Sequence, residues 1–251
     1  SLEEMKFIIK KAKESENIKL IVFTGGECTI YLKNLIKAIA FATENGFFTR
    51  IVSNGWFGSS WERAEKVLSQ LKEAGLSEVN FSLGDDHQEY IPLEHVIKSI
   101  ATSTKFGFRT AINIESHLDS KMKKDETELL VKKSGANMEL IHFLEGAWVD
   151  FDEKINMRYD EGYYRKQSDN NNGCSSLIRT PAILPGGGIV ACCGLRSHEI
   201  DELCSGNIYE ISFKELENEL NSNLINLWLI EEGPEKIISC AKDWDGSINF
   251  N

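Results

Sequence analysis

Over the first 145 residues the chain alternates between two hydrophobic periods. Leu2 to Lys13 places Met5, Ile8 and Ile9 on one stripe, the spacing of an amphipathic helix, and Ile18 to Thr24 is a short apolar run ending in Gly25-Gly26, the pattern of a buried strand. The same pair of patterns recurs along the chain. A helix is predicted over Tyr31 to Asn45 and a strand over Thr49 to Ser53, broken by Asn54-Gly55. The next helix, Ser60 to Ala74, stops at Gly75 and leads to a strand over Glu78 to Leu83. A helix from Pro92 to about Phe106 precedes a strand at Arg109 to Glu115, and a last helix near Glu126 to Lys133 precedes one at Glu139 to Leu144. Strands spaced by helices of about 10 to 15 residues predict an α/β fold with a parallel sheet and right-handed crossovers. Because the pattern opens on a helix, the strand that should feed that helix is expected to precede Ser1.

From about residue 146 the character changes. Gly162-Tyr163-Tyr164, an Asn run at Asn170 to Asn172, and five of the six cysteines lie beyond this point. We place a boundary near 150, giving a first domain over 1–149 and a small, irregular, cysteine-containing module over 150–251, closed by a helix from Ser212 to about Asn223.

Composition narrows the partners. With 28 Lys plus Arg against 39 Asp plus Glu, the net charge of −11 opposes a phosphate backbone or an anionic membrane surface. The longest basic cluster, Lys121 to Lys124 with Met122 inside it, runs directly into Asp125, Glu126 and Glu128, a solvated helix start. No stretch approaches the roughly 20 apolar residues that cross a bilayer, and the amino end is acidic, so the expected location is cytoplasmic with neither nucleic acid nor membrane as partner.

In parallel β/α sheets ligands gather at the carboxyl ends of the strands. Those ends read Thr24-Gly25-Gly26-Glu27, Ser53-Asn54-Gly55, Ser82-Leu83-Gly84-Asp85-Asp86-His87 and Asn113-Ile114-Glu115, four polar sets expected to share one rim. Gly-Gly-Glu after a strand offers a backbone that a ligand can approach and a carboxylate for an ammonium group, while alone it is more often a plain turn. His87 is a candidate for proton transfer by its place and its near-neutral titration. His95, His117, His142 and His198 read as surface or core residues, and Trp56 and Trp148 as packing groups.

Taken together, these strand ends resemble the S-adenosylmethionine (SAM) cleft of the radical SAM superfamily, over roughly residues 1 to 145. The resemblance implies a partial (β/α)6 barrel with its first strand missing. It implies that Gly25, Gly26 and Glu27 hold the methionyl amino group, that Ser82 contacts the ribose, that Ser53 and Asn54 form the polar end of the neighbouring strand, and that Asn113 and Glu115 meet the nucleoside and carboxylate portions. Two positions depart from the family pattern: Cys28 stands where many members have Pro, and Gly84 where an Asp often follows the Ser. A larger departure is that no Cys-x3-Cys-x2-Cys occurs, the triplet whose thiolates hold the radical-forming 4Fe-4S cluster. The missing strand and the missing triplet would both precede Ser1, so the expectation is a sequence that begins inside the domain.

Cys174-x12-Gly187-x4-Cys192 similarly resembles the opening of the auxiliary-cluster modules of that superfamily, SPASM when large and Twitch when short. Pro185-Gly186-Gly187-Gly188 supplies a hairpin turn and Ile189-Val190-Ala191 a strand. The resemblance implies an iron-sulfur cluster on Cys174 and Cys192, with Cys240 and then Cys204 favoured over Cys193 to complete it. Buried thiols or a tetrahedral zinc site are the alternatives. The resemblance also implies an enzyme that cleaves SAM reductively, forms a 5'-deoxyadenosyl radical and removes hydrogen from a ribosomally made peptide or a small molecule. Its electron donor would be a flavodoxin or ferredoxin. The alternative is a cluster-less relative that binds peptides or serves as a scaffold.

Overall fold

The computed structural model describes residues 1–115, 120–146, 173–174, 176–194 and 197–244. The chain divides into two compact units, Ser1–Trp148 and Val149–Asn251.

In the first unit, five parallel strands run in sequence order, β1 (Leu20–Phe23), β2 (Phe48–Ser53), β3 (Glu78–Leu83), β4 (Arg109–Glu115) and β5 (Ile141–Gly146). Between them lie α1 (Leu2–Ala12), which precedes β1, then α2 (Leu32–Glu44), α3 (Trp61–Glu73), a short α4 (Asp85–Tyr90), α5 (Leu93–Lys105) and α6 (Lys124–Lys133). Serine caps set two of the starts: the Ser1 and Ser60 hydroxyls accept from the amides of Glu4 and Arg63.

Strand alternation decides what each face does. Thr49, Ile51 and Ser53 of β2, Val79, Phe81 and Leu83 of β3, and Thr110, Ile112 and Ile114 of β4 are buried, and they meet the apolar stripes of the helices, such as Leu35, Ile39, Leu68, Leu71, Val96 and Ile100. The opposite face is less buried and mixed, with Arg50, Glu78, Asn80, Ser82, Arg109 and Asn113 beside Leu20, Val22, Phe48, Val52, Ala111 and Leu144. The pairing aligns Arg50 with Glu78 and Glu78 with Arg109, Val52 with Asn80 and Asn80 with Ala111, and Ser82 with Asn113. An all-parallel sheet with helices on both faces would carry apolar residues throughout. Here the second face mixes charged and polar residues with apolar ones, consistent with a partial barrel rather than a sheet covered on both sides.

The second unit is built on a three-stranded antiparallel sheet, β6 (Ala182–Ile183), β7 (Gly188–Val190) and β8 (Cys204–Asn207). Pro185 and Gly186 turn the β6–β7 hairpin, with Gly186 at φ +88° and the Gly187 amide donating to the Leu184 carbonyl at 2.9 Å. The helix expected from Ser212 spans Phe213–Ser222, capped reciprocally by Ser212 and Glu215. It does not close the unit. Two further helices come after it, Leu224–Glu231 and Gly233–Trp244, which corrects the expectation of a single closing helix. The region of Tyr163, Tyr164 and Asn170 to Asn172 lies outside the described residues, as do His117 and Trp148. No helix among the described residues is long and apolar enough to cross a membrane.

Candidate functional site

Gly25, Ser53, Ser82 and Asn113 all fall at the carboxyl ends of β1 to β4, on one edge of the sheet. Within that edge the structure gathers the expected residues into two groups.

The first group centres on Glu27, which caps the 3-10 turn Cys28–Tyr31. Its Oε1 accepts from the Thr29 amide at 2.9 Å, the Thr29 hydroxyl at 2.6 Å and the Ser53 hydroxyl at 3.0 Å. Oε2 accepts from the Asn54 amide at 2.8 Å and shares the Ser53 hydroxyl at 3.1 Å. The carboxylate therefore ties the end of β1 to the end of β2. Gly25 and Gly26 are exposed beside it, and a Cβ on either would meet nothing within 4 Å, so the backbone there lies open to a ligand. Cys28 turns inward and donates to the Val52 carbonyl at 3.2 Å. Burial, with the Glu27 charge adding to it, pushes that thiol up to about 12, so it stays protonated.

The second group lines a cavity of about 250 Å³ with Ser82, His87, Asn113, Glu115, Leu144 and Glu145 among its walls. Glu115 is only 5 % exposed. One oxygen accepts weakly from the Asp86 amide at 3.3 Å, and Oε2 is buried without a partner. Burial, reinforced by the charges of Asp86 and Asp85, raises its carboxyl to about 7, although the Asp86 amide pulls the other way. Burial also lowers the His87 imidazole, against the Asp86 charge. Near neutrality the histidine is thus uncharged and Glu115 about half protonated. Gly84 makes room for this arrangement: at φ +154°, a Cβ there would lie 2.6 Å from the Glu115 side chain.

A larger cavity of about 380 Å³ lies in the helical layer between α3, α5 and the end of α6, lined by Trp61, Glu65 and Lys105. It is remote from the strand-end residues and holds none of the candidate groups.

The sequence reading did not anticipate Thr29 or Trp56 as parts of the rim, nor how Asp85 is held there. Trp56 Nε1 donates to Thr29 Oγ1 at 2.7 Å, and Asp85 accepts from the amides of Lys121 and Met122 at 2.7 and 3.0 Å. A threonine two residues after Glu27 was the only local signal for the first of these.

In the second unit Cys174, Cys192, Cys204 and Cys240 are free thiols. Cys192 Sγ accepts from the Gly194 amide at 3.4 Å, and Cys204 Sγ lies 3.5 Å from the Ile200 carbonyl. Among the described residues no three His, Cys, Asp or Glu side chains are placed to hold a metal ion, so the four cysteines are not brought together there.

The carboxyl ends of the parallel strands form a polar rim, the place where ligands gather in β/α domains. Residues 1–114 match the family model of the Radical SAM superfamily. No match to a curated protein was found. The orphaned Glu115 oxygen, with the Ser82 hydroxyl and the Asn113 amide lining the same cavity, fits the hydroxyls and base edge of the nucleoside in SAM. A radical-forming iron-sulfur cluster does not fit the residues of the first unit: Cys28 is its single cysteine, and that thiol is held protonated.

Proposed function

We propose that the first unit binds S-adenosylmethionine along the rim from Gly25 to Glu115 and serves radical SAM-type chemistry on a peptide or small molecule. The observation that carries this reading is the buried, unpartnered Glu115 oxygen in a cavity shared with Ser82 and Asn113, within a segment matching the Radical SAM superfamily. Ser82, Asn113 and Glu115 would hold the nucleoside. Gly25 and Gly26 would let the methionyl end approach the backbone beside the fixed negative charge of Glu27. His87, uncharged at neutrality, would accept or return a proton at the cavity wall. That chemistry would need one electron from a four-iron cluster, which the first unit's own residues do not ligate; with it, bound SAM would yield methionine and a 5'-deoxyadenosyl radical. A flavodoxin or ferredoxin would be the electron source, the cytoplasm the setting, and an auxiliary cluster on Cys174 and Cys192 part of the same reading.

The second reading is a cluster-less relative that binds peptides or serves as a scaffold. Two measurements on the 251-residue chain test these readings. Calorimetric titration should show SAM binding that Ser82→Ala and Asn113→Ala each weaken about tenfold, the scale of one lost hydrogen bond in a cavity. If wild-type protein shows no binding heat, the cleft assignment fails. Anaerobic incubation with SAM and dithionite should give no 5'-deoxyadenosine from this chain, and its appearance would sink the cluster-less reading. Iron and sulfide counting after reconstitution decides whether Cys174 and Cys192 hold a cluster, since their replacement by Ala should then halve the iron or remove it.

A further inference from the structure

The environment of Glu27 bears on how the proposed cleft works. An ionised carboxylate offers about four lone-pair sites. Four hydrogens already point at this one: the amides of Thr29 and Asn54 and the hydroxyls of Thr29 and Ser53. The direction of both hydroxyl hydrogens is fixed from behind. Indole N–H is a donor only, so Trp56 Nε1, at 2.7 Å from Thr29 Oγ1, occupies the accepting side of that oxygen and leaves its single hydrogen to Glu27. The Gly55 amide does the same to Ser53 Oγ at 3.1 Å.

Trp56 is itself held in place. The Arg63 guanidinium carbon lies 4.1 Å from its ring centroid, and the Arg63 amide, in the first turn of α3, is capped by Ser60. The Asn54 side chain accepts from the Trp56 amide at 3.1 Å. Thr29 is 3 % exposed, so the relay from Trp56 to Glu27 has no room for water as a substitute partner. An ammonium group arriving at this carboxylate would compete with these four donors for its lone pairs.

We propose that Glu27, Thr29, Trp56 and Arg63 form a lock that fixes the ends of β1 and β2 relative to each other, with Trp56 as a positioning residue and the Glu27 carboxylate as its fixed post rather than the direct partner of a ligand ammonium. The relay sets the course of the exposed Gly25-Gly26 backbone, and that backbone meets the ligand. For its ligand readout this inference rests on the proposed SAM cleft. For its exchange readout it rests on hydrogen-bond geometry alone.

Hydrogen exchange on the ligand-free 251-residue chain tests the lock directly. Trp56→Phe keeps a ring for Arg63 and removes only the N–H. It should speed exchange of the Thr29 and Asn54 amides about tenfold, the equivalent of one hydrogen bond, and leave β3 and β4 unchanged. Thr29→Val should do the same and Thr29→Ser should restore protection. Unchanged exchange in both Trp56→Phe and Thr29→Val overturns the lock.

The ligand arm uses two probes, S-adenosylmethionine (SAM) and 5'-methylthioadenosine, which keeps the nucleoside and its 5' sulfur, as a neutral thioether, but lacks the sulfonium charge and the methionyl ammonium and carboxylate. Glu27→Gln, with Trp56→Phe as the milder variant should Glu27→Gln fail to fold, should weaken both probes to a similar degree. A loss of about tenfold or more confined to SAM, the signature of a lost charged hydrogen bond, would make Glu27 a direct partner and overturn the positioning role. Unchanged affinity for both probes would overturn it as well. If the wild-type chain binds neither probe, the cleft reading fails, and the exchange result still decides the lock.

Discussion

Two glutamates sit on one rim and live in opposite surroundings. Glu27, between β1 and β2, is half-exposed and surrounded by donors, two amides and two hydroxyls. Glu115, at the end of β4, is nearly fully buried, receives one long hydrogen bond and keeps an orphaned oxygen. The chemistry of the side chain is identical, so the difference comes from what the neighbouring strand ends present. At Glu27 the adjoining loops turn N–H and O–H groups toward it. At Glu115 the nearest groups are Asp85 and Asp86, and charge is opposed. The first glutamate is spent on structure, whereas the second retains hydrogen-bonding capacity that only a ligand or water can use.

The sharpest way to break this contrast is to remove each carboxyl and compare stability. Glu27→Ala strands four donors, some in a site closed to water, and should cost about 3 kcal/mol in urea unfolding. A cost below that of an ordinary surface substitution would show that Glu27 is not a structural hub.

Glu115→Gln should act in the other direction, and only at high pH. The folded carboxyl titrates near 7 against an ordinary value of 4.5. Its contribution to stability is therefore whole below pH 4.5 and is lost as pH rises through 7, because the unfolded chain sheds the proton first. Glutamine removes that liability. Wild type and variant should match at pH 4, and the variant should be more stable at pH 8 by on the order of 2 kcal/mol, allowing for solvent in the cavity. A stability difference independent of pH would contradict the assigned environment of Glu115.

Sequence alone reached one side of this comparison further than the other. The limits of β3 and β4 coincide with those read from alternation, Glu78–Leu83 and Arg109–Glu115, because each strand buries one face and leaves the other polar. The rim residues were legible as strand ends for the same reason. Their bonding was not, since Glu27 meets Ser53 and Asn54 across 26 and 27 residues, and a hydroxyl's direction depends on a third partner such as Trp56. The helix Leu224–Glu231 was missed because Leu224, Ile225, Leu227, Trp228, Leu229 and Ile230 are apolar on all sides and show no 3.6-residue period. Gly233-Pro234 opens the last helix, a position where a proline's missing N–H costs nothing.

Gly84 probes the Glu115 side more gently. An added methyl at φ +154° would press on Cβ, Cγ and Cδ of Glu115 at 2.6 to 2.7 Å. Gly84→Ala should lose roughly 1.5 kcal/mol through backbone strain and overpacking. Glu115→Ala in the same chain should recover part of that loss, because Cγ and Cδ are gone while the Cβ contact and the strained φ remain. Full additivity of the two substitutions would show that they do not touch.

The smallest expected effect lies at the outer end of the Glu27 relay. Arg63 is exposed, so its stacking on Trp56 is an exposed cation–π contact, worth about 0.5 to 1 kcal/mol. Arg63→Ala should destabilise the chain by about that amount, and Arg63→Lys by less, since an ammonium carries the charge without the flat face that stacks. The informative comparison is with Trp56→Phe. If Arg63 acts only by orienting the indole, Arg63→Ala should cost nothing further once the indole N–H is absent, apart from its residual contact with the phenyl ring. Independent, additive losses would mean that Arg63 acts through its guanidinium contact with Ser59 rather than through the relay to Glu27.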